Sequence, residues 1–142
     1  MNILGIDYGR RKIGLAISYS EAESYGKLAE PMKVIRYTDI KKLSEQIRQI
    51  IKQEKIEKVI VGVSEGEMAI ESKKFATLIT SYQPQSGKLR LSPVTVEFSD
   101  ETLSSYDAVD MSIQAGMSRK KRKEMEDAFA ASIMLQSYID HV

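Results

Sequence analysis

Apolar residues run almost unbroken from Ile3 to Ile6, stop at Asp7, and resume from Ile13 to Ile17 after Tyr8-Gly9-Arg10-Arg11-Lys12. Short apolar runs bounded by turn residues read as buried strands, so this stretch predicts two paired strands joined by a tight basic turn. Met32 to Ile35 forms a third short strand, and Pro31 before it suits a sheet edge, because proline has no N–H for a ladder. Ile40, Leu43, Ile47, Ile50 and Ile51 then recur at helical spacing among polar residues, which predicts an amphipathic helix with Thr38 or Asp39 as N-cap. Lys58 to Val63 is nearly all apolar, as expected of an interior parallel strand. After the loop Ser64-Glu65-Gly66-Glu67, Phe75, Leu78, Ile79 and Tyr82 mark a second amphipathic helix, and Gln83 to Gly87 breaks the chain. Val94, Val96 and Phe98 alternate with Thr95 and Glu97, so a strand leads into Ser99-Asp100-Glu101. The last element, from about Glu126 to Asp140, is apolar on more than one side and predicts a largely buried helix.

The order β-β-β-α-β-α-β-α gives an α/β fold, a mixed five-stranded sheet flanked by helices. In open α/β sheets the working site gathers at the carboxyl ends of strands. Asp7 and the Asp100-Glu101 pair sit at such ends, and Glu65 lies just past a third.

Composition narrows the classes of function. At 142 residues the chain is expected to form one domain over 1–142. Lys and Arg (21) nearly balance Asp and Glu (20), so any attraction for nucleic acid must be local. There is no cysteine, which removes disulfides, thiolate metal sites and thiol nucleophiles. No secretory leader is visible, and no apolar run approaches the roughly 20 residues of a membrane span. A soluble, cytoplasmic protein is expected, without a membrane partner.

Three acids stand out by context. Asp7 closes the first strand, Glu101 follows the last strand, and Asp127 precedes the apolar stretch Ala128 to Leu135, where a charge is costly without a partner. Converging carboxylates repel, and a divalent cation relieves that repulsion. Oxygen ligands favour Mg²⁺ or Mn²⁺ over zinc, and the chain has a single histidine, His141, next to its end. Two such ions about 3.5–4 Å apart serve phosphodiester cleavage by activating water and stabilising the leaving oxygen. Each acid also has a structural alternative: Asp7 as a turn-former, Asp127 as a helix cap, and Glu101 as a solvated loop acid.

Basic residues adjoin two of the acids. Arg10, Arg11 and Lys12 follow Asp7, and Arg119, Lys120, Lys121, Arg122 and Lys123 precede Asp127. Positive charge beside acids suits a polyanion whose backbone is led to a metal-loaded site, although a five-residue run is also what a solvated loop looks like. Gly5, Gly9 and Gly14 are not a dinucleotide loop, because the chain continues as a hairpin instead of entering a helix.

Gly5-Ile6-Asp7-Tyr8-Gly9-Arg10-Arg11-Lys12-Ile13-Gly14-Leu15-Ala16-Ile17-Ser18 resembles the first signature of the YqgF (also called RuvX) family of ribonuclease-H-like nucleases. Asp100-Glu101-Thr102-Leu103-Ser104-Ser105 is similar to its Asp-Glu-Arg-Leu-Thr-Thr motif, and the basic run followed by Asp127 to Tyr138 is similar to its third. The resemblance covers nearly the whole chain. It implies a ribonuclease-H-like fold and a Mg²⁺ or Mn²⁺ nuclease site at Asp7, Glu101 and Asp127. It also implies a nucleic-acid partner: precursor small-subunit ribosomal RNA at its 5′ end, favoured here, or four-way DNA junctions. Thr102 departs from the family arginine and removes a planar cationic fork, Ser104-Ser105 replaces the threonine pair, and Glu65 brings an acid where a Gly-Leu-Pro-like turn is usual. Two other readings remain beside the nuclease. One is a binding module of the same fold with little activity. The other is a sugar-kinase or actin-like ATPase, which closes two such domains around its nucleotide where this chain has length for one. Monomer and homodimer are equally compatible with the sequence.

Overall fold

The computed structural model describes residues 2–19, 28–63, 67–80, 94–100, 116 and 118–140. Strands β1 (Asn2–Tyr8), β2 (Lys12–Ser18) and β3 (Glu30–Arg36) are followed by helix α1 (Ile40–Gln53), strand β4 (Ile56–Val63), helix α2 (Glu67–Thr80), strand β5 (Thr95–Asp100) and helix α3 (Arg119–Asp140). The five strands form one sheet in the order β3-β2-β1-β4-β5. β1, β2 and β3 pair antiparallel as a meander, whereas β4 runs parallel to both β1 and β5. This is the mixed sheet that the element order predicts, with β3 at the edge expected from Pro31 and with its register shifted beside that residue.

The two faces of the sheet are built from different side chains. Leu4, Ile6, Ile13, Leu15, Ile17, Val59 and Val61 point to one face and pack with Leu43 and Ile47 of α1 and Phe75 and Ile79 of α2. On the opposite face Ile3, Ala16 and Ile60 meet Ala131, Met134 and Leu135 of α3. At Gly5 and Gly14 the α3 layer has no sheet side chain, so the helix comes close to the strands there, and that approach positions the acids described below.

Element ends follow local chemistry. Asp39 caps α1 by accepting a hydrogen bond from the Lys41 N–H at 2.9 Å, one of the two caps predicted. Helix α3 begins about two turns earlier than the apolar pattern indicates. Ser118 is its cap: its hydroxyl accepts from the Lys121 N–H at 3.3 Å and its carbonyl from the Arg122 N–H at 2.8 Å. The basic run is therefore helical. Lys and Arg are good helix formers, although five cations at the positive end of the helix dipole oppose one another and the dipole. No helix among the described residues is long and apolar enough to cross a membrane.

Candidate active site

Asp7 is the last acid-bearing position of β1 and is half-buried. Its register partners are Gly14 on β2 and Gly62 on β4, and Gly62 in turn pairs with Ser99 on β5. Directly opposed residues share a face of a sheet, as do residues two apart on one strand. Gly5 shares the face of Asp7, and a Cβ on Gly5 would lie 3.0 Å from the Leu135 Cβ. Asp7 therefore faces α3. With glycine on either side, its carboxylate stands in a gap in the side-chain layer.

Asp127 comes to the same place through Gly14. A Cβ there would lie 1.9 Å from the Asp127 carbonyl oxygen and 2.7 Å from the Ala128 nitrogen. The backbone of α3 is thus seated directly on the residue that pairs with Asp7, and neighbouring strands are only about 4.8 Å apart. Two acids separated by most of the chain are neighbours because one position between them has no side chain.

The Asp127 carboxylate is not bare. Its Oδ2 lies 3.1 Å from Lys12 Nζ, with the Lys12 side chain 41% and the Asp127 side chain 28% exposed. A pair this open to water contributes about 1 kcal/mol or less to stability. Its chief consequence is local: Lys12 turns toward the acid site, while Arg10 and Arg11 are exposed at the turn.

Tyr37 and helix α2 hold that turn. The Tyr37 N–H donates to the Arg11 carbonyl at 3.0 Å, and the Tyr37 hydroxyl donates to the Gly9 carbonyl. Burial, and then the neighbouring Tyr8 hydroxyl, push the Tyr37 phenol well above its ordinary range, so it remains a donor. Tyr8 stacks on Phe75 of α2 with ring centroids 5.1 Å apart, and Arg10 Nε approaches Glu71 of α2 at 3.8 Å. The role of Tyr37 had no spacing signal in the sequence. That of Gly14 had one, since a tight hairpin at Gly9–Arg11 fixes Gly14 opposite Asp7.

On α3, Arg119, Lys120, Lys121 and Lys123 are exposed, whereas Arg122 is half-buried with its Nε shielded. Among the described residues the structure thus brings together Asp7, Asp127 and Lys12, whereas Arg10 and Arg11 lie on the hairpin turn and residues 119–123 form the first turns of α3 ahead of Asp127. Glu101 lies outside the described residues, as do Glu65, Thr102, Ser104, Ser105 and His141. No group of three or more His, Asp and Glu residues that could hold a metal ion occurs among those described. Asp7 and Asp127 offer oxygen donors only, and Asp127 already attracts a cation in the form of Lys12. Both features fit a hard divalent ion.

Sequence comparison places this geometry in a family. A family model described as RuvX, Holliday junction resolvase, matches residues 1–141. The chain belongs to the RuvX family. It is similar to a relative from Halothermothrix orenii, 36% identical over 144 residues, covering 99% of this chain and 96% of the relative. Another from Desulforamulus reducens is 32% identical over 140 residues, covering 99% and 97%. Both bear the name "Putative pre-16S rRNA nuclease". Among solved structures, the fold of this RuvX chain is similar to that of the fowlpox virus resolvase in complex with Holliday junction DNA. The TM-score is 0.63 at 16% identity, covering 99% of this chain and 98% of that one. It is also similar to T. thermophilus RuvC with a Holliday junction substrate, at TM-score 0.61 and 15% identity, covering 99% and 96%. These likenesses establish the α/β fold of resolvases, as the resemblance of the three motifs implies.

Proposed function

We propose that this chain is a divalent-metal-dependent nuclease that hydrolyses phosphodiester bonds of structured RNA, in 5′ processing of precursor small-subunit ribosomal RNA. The observation that carries this reading is the seating of Asp127 on Gly14, the register partner of Asp7. A structural sheet has no need of two carboxylates in one gap. A phosphodiester hydrolase uses them to hold Mg²⁺ or Mn²⁺, which when bound supplies Lewis-acid activation of water and stabilises the leaving oxygen. Asp7, Asp127 and Glu101 are the proposed catalytic and metal-holding residues.

The other residues bind and orient. Arg10 and Arg11 on the turn after β1, with Arg119, Lys120, Lys121 and Lys123 at the start of α3, are exposed cations on the two segments that carry Asp7 and Asp127. Such contacts fix where a phosphate backbone lies without reading its sequence. Lys12 and Arg122 are held closer to the protein, and Lys12 in particular holds Asp127 in place. Residues 1–142 act as one catalytic domain in this reading, working in the cytoplasm where its RNA is found. The RNA assignment rests on the names of the relatives, and the family description supplies the competing substrate.

The test offers purified protein, with Mg²⁺ or Mn²⁺, a labelled precursor ribosomal RNA 5′ fragment and a four-way DNA junction. Cleavage of the RNA in preference to the junction, abolished in Asp7→Asn, is expected. Preference for the junction replaces the substrate with branched DNA. Binding of both without cleavage of either makes the chain a binding module of the same fold.

A further inference from the structure

A groove of about 480 Å³ lies between β3 and α1, on the side of the sheet away from α3. Lys33 and Arg36 of β3 line one wall, and Gln46, Gln49 and Gln53 of α1 line the other. β3 is the outermost strand of the sheet, so its outward backbone groups pair with no other strand among the described residues. The three glutamines recur at i, i+3 and i+7, one flank of α1, and all three are exposed. The opposite flank is used otherwise, since Arg48 donates to the Leu78 carbonyl of α2 at 3.2 Å.

The lining has two cations and no acid. Glutamine side chains each offer a carbonyl acceptor and an NH₂ donor without charge. That combination suits an anionic chain carrying hydrogen-bonding edges: cations for phosphate, amides for base edges and ribose hydroxyls. The groove and the acid site lie on opposite faces of the sheet, on either side of the β3 edge. Arg36 is the register partner of Lys12, whose ammonium touches Asp127, and the next residue, Tyr37, is bonded to the hairpin turn. β3 lies two strands from β1, about 10 Å at ordinary strand spacing. A strand bound at Asp7 can round the sheet edge at Arg36 and enter the groove within a few nucleotides.

We infer that the β3–α1 groove is a binding site for the single-stranded segment flanking the cleavage point of an RNA substrate. This rests on the nuclease reading above and adds to it where the uncut part of the substrate lies. Charge favours nucleic acid over a peptide strand added to the β3 edge, because the nearest exposed groups at the hairpin, Arg10 and Arg11, are also cationic.

The experiment measures binding by fluorescence anisotropy in chelator, so cleavage does not intervene. Two labelled RNAs are used: a precursor 5′ fragment with a single-stranded extension, and the same fragment trimmed to its duplex. Wild type is compared with Gln46→Ala/Gln49→Ala and with Lys33→Glu, all in exposed positions. Both variants should lose about tenfold in affinity for the extended RNA, the scale of one or two lost contacts, and keep wild-type affinity for the duplex. Unchanged affinity for the extended RNA, or equal loss for both RNAs, overturns the proposal. So does a variant-induced change of sedimentation from dimer to monomer, which would make the groove an interface between copies of this chain. Failure of the nuclease reading is separately visible: wild type then cuts neither RNA when metal is restored, whatever the anisotropy shows.

Discussion

At the scale of single residues, the site depends on what two small groups do. Gly14 lets the α3 backbone reach the sheet, and Lys12 supplies a cation to Asp127 at 3.1 Å. Lys12 and an incoming divalent ion draw on the same carboxylate. Lys12→Met should therefore tighten Mn²⁺ binding by about two- to fivefold, the range an exposed ion pair of about 1 kcal/mol or less allows. Isothermal titration calorimetry reads this directly, and weaker or unchanged Mn²⁺ binding would show that Lys12 does not compete. Asp7 and Asp127 stand out in the sequence because each borders an apolar run. The pairing of Lys12 with Asp127 was not legible there, since it joins residues more than a hundred positions apart and depends on how the helix sits.

At the scale of elements, the first hairpin and α3 make the site together. The strand pattern, the edge position of β3 and the Asp39 cap all followed from local chemistry that acts within a few residues. The start of α3 did not, because periodicity marks where a helix packs and the basic run is exposed apart from Arg122. Ser118 was the available signal, a capping residue ahead of good helix formers. The seat of α3 on Gly14 gives a sharp expectation. A Cβ at Gly14 must displace helix backbone, whereas one at Gly5 meets mainly the Leu135 side chain. Gly14→Ala should cost about 2–3 kcal/mol of stability, as overpacking does, and most of the nuclease activity, with Gly5→Ala milder in both. Equal melting temperatures and activities for the two variants would contradict the seating.

At the scale of the whole molecule, the sheet separates a core under α1 and α2 from a second one under α3, whose seam narrows at Gly5 and Gly14. The far end of that seam is tied by polar contacts. The Lys58 ammonium donates to the Tyr138 hydroxyl at 2.8 Å and lies 3.2 Å from Glu97, and Tyr138 donates to Glu97. The Tyr138 hydroxyl first, then Lys58, hold the Glu97 carboxyl below its usual range, and the same hydroxyl, joined by Glu97, raises Lys58 against its desolvation. The Glu97 contribution is present above the ordinary carboxylate value of about 4.3 and is lost as pH falls through the lower folded value. The Lys58 contribution is present below about 10.4 and is lost as pH rises through the raised one. Tyr138→Phe should accordingly lower the melting temperature by a roughly constant amount from about pH 5 to 9, with the gap narrowing in acid below about pH 4. A gap independent of pH down to unfolding would assign the effect to packing alone.

The most direct test of the central claim, that Asp7 and Asp127 form one metal-dependent nuclease site, is a double-mutant cycle on cleavage rate. Single-turnover cleavage of the precursor RNA fragment is followed against Mn²⁺ concentration for wild type, Asp7→Asn, Asp127→Asn and the double variant. Each single change should cost about a thousandfold or more, and the double variant should be little worse than either, as for residues that act as a unit. Losses that multiply, or an Asp127→Asn protein that cuts at the wild-type rate, would contradict it.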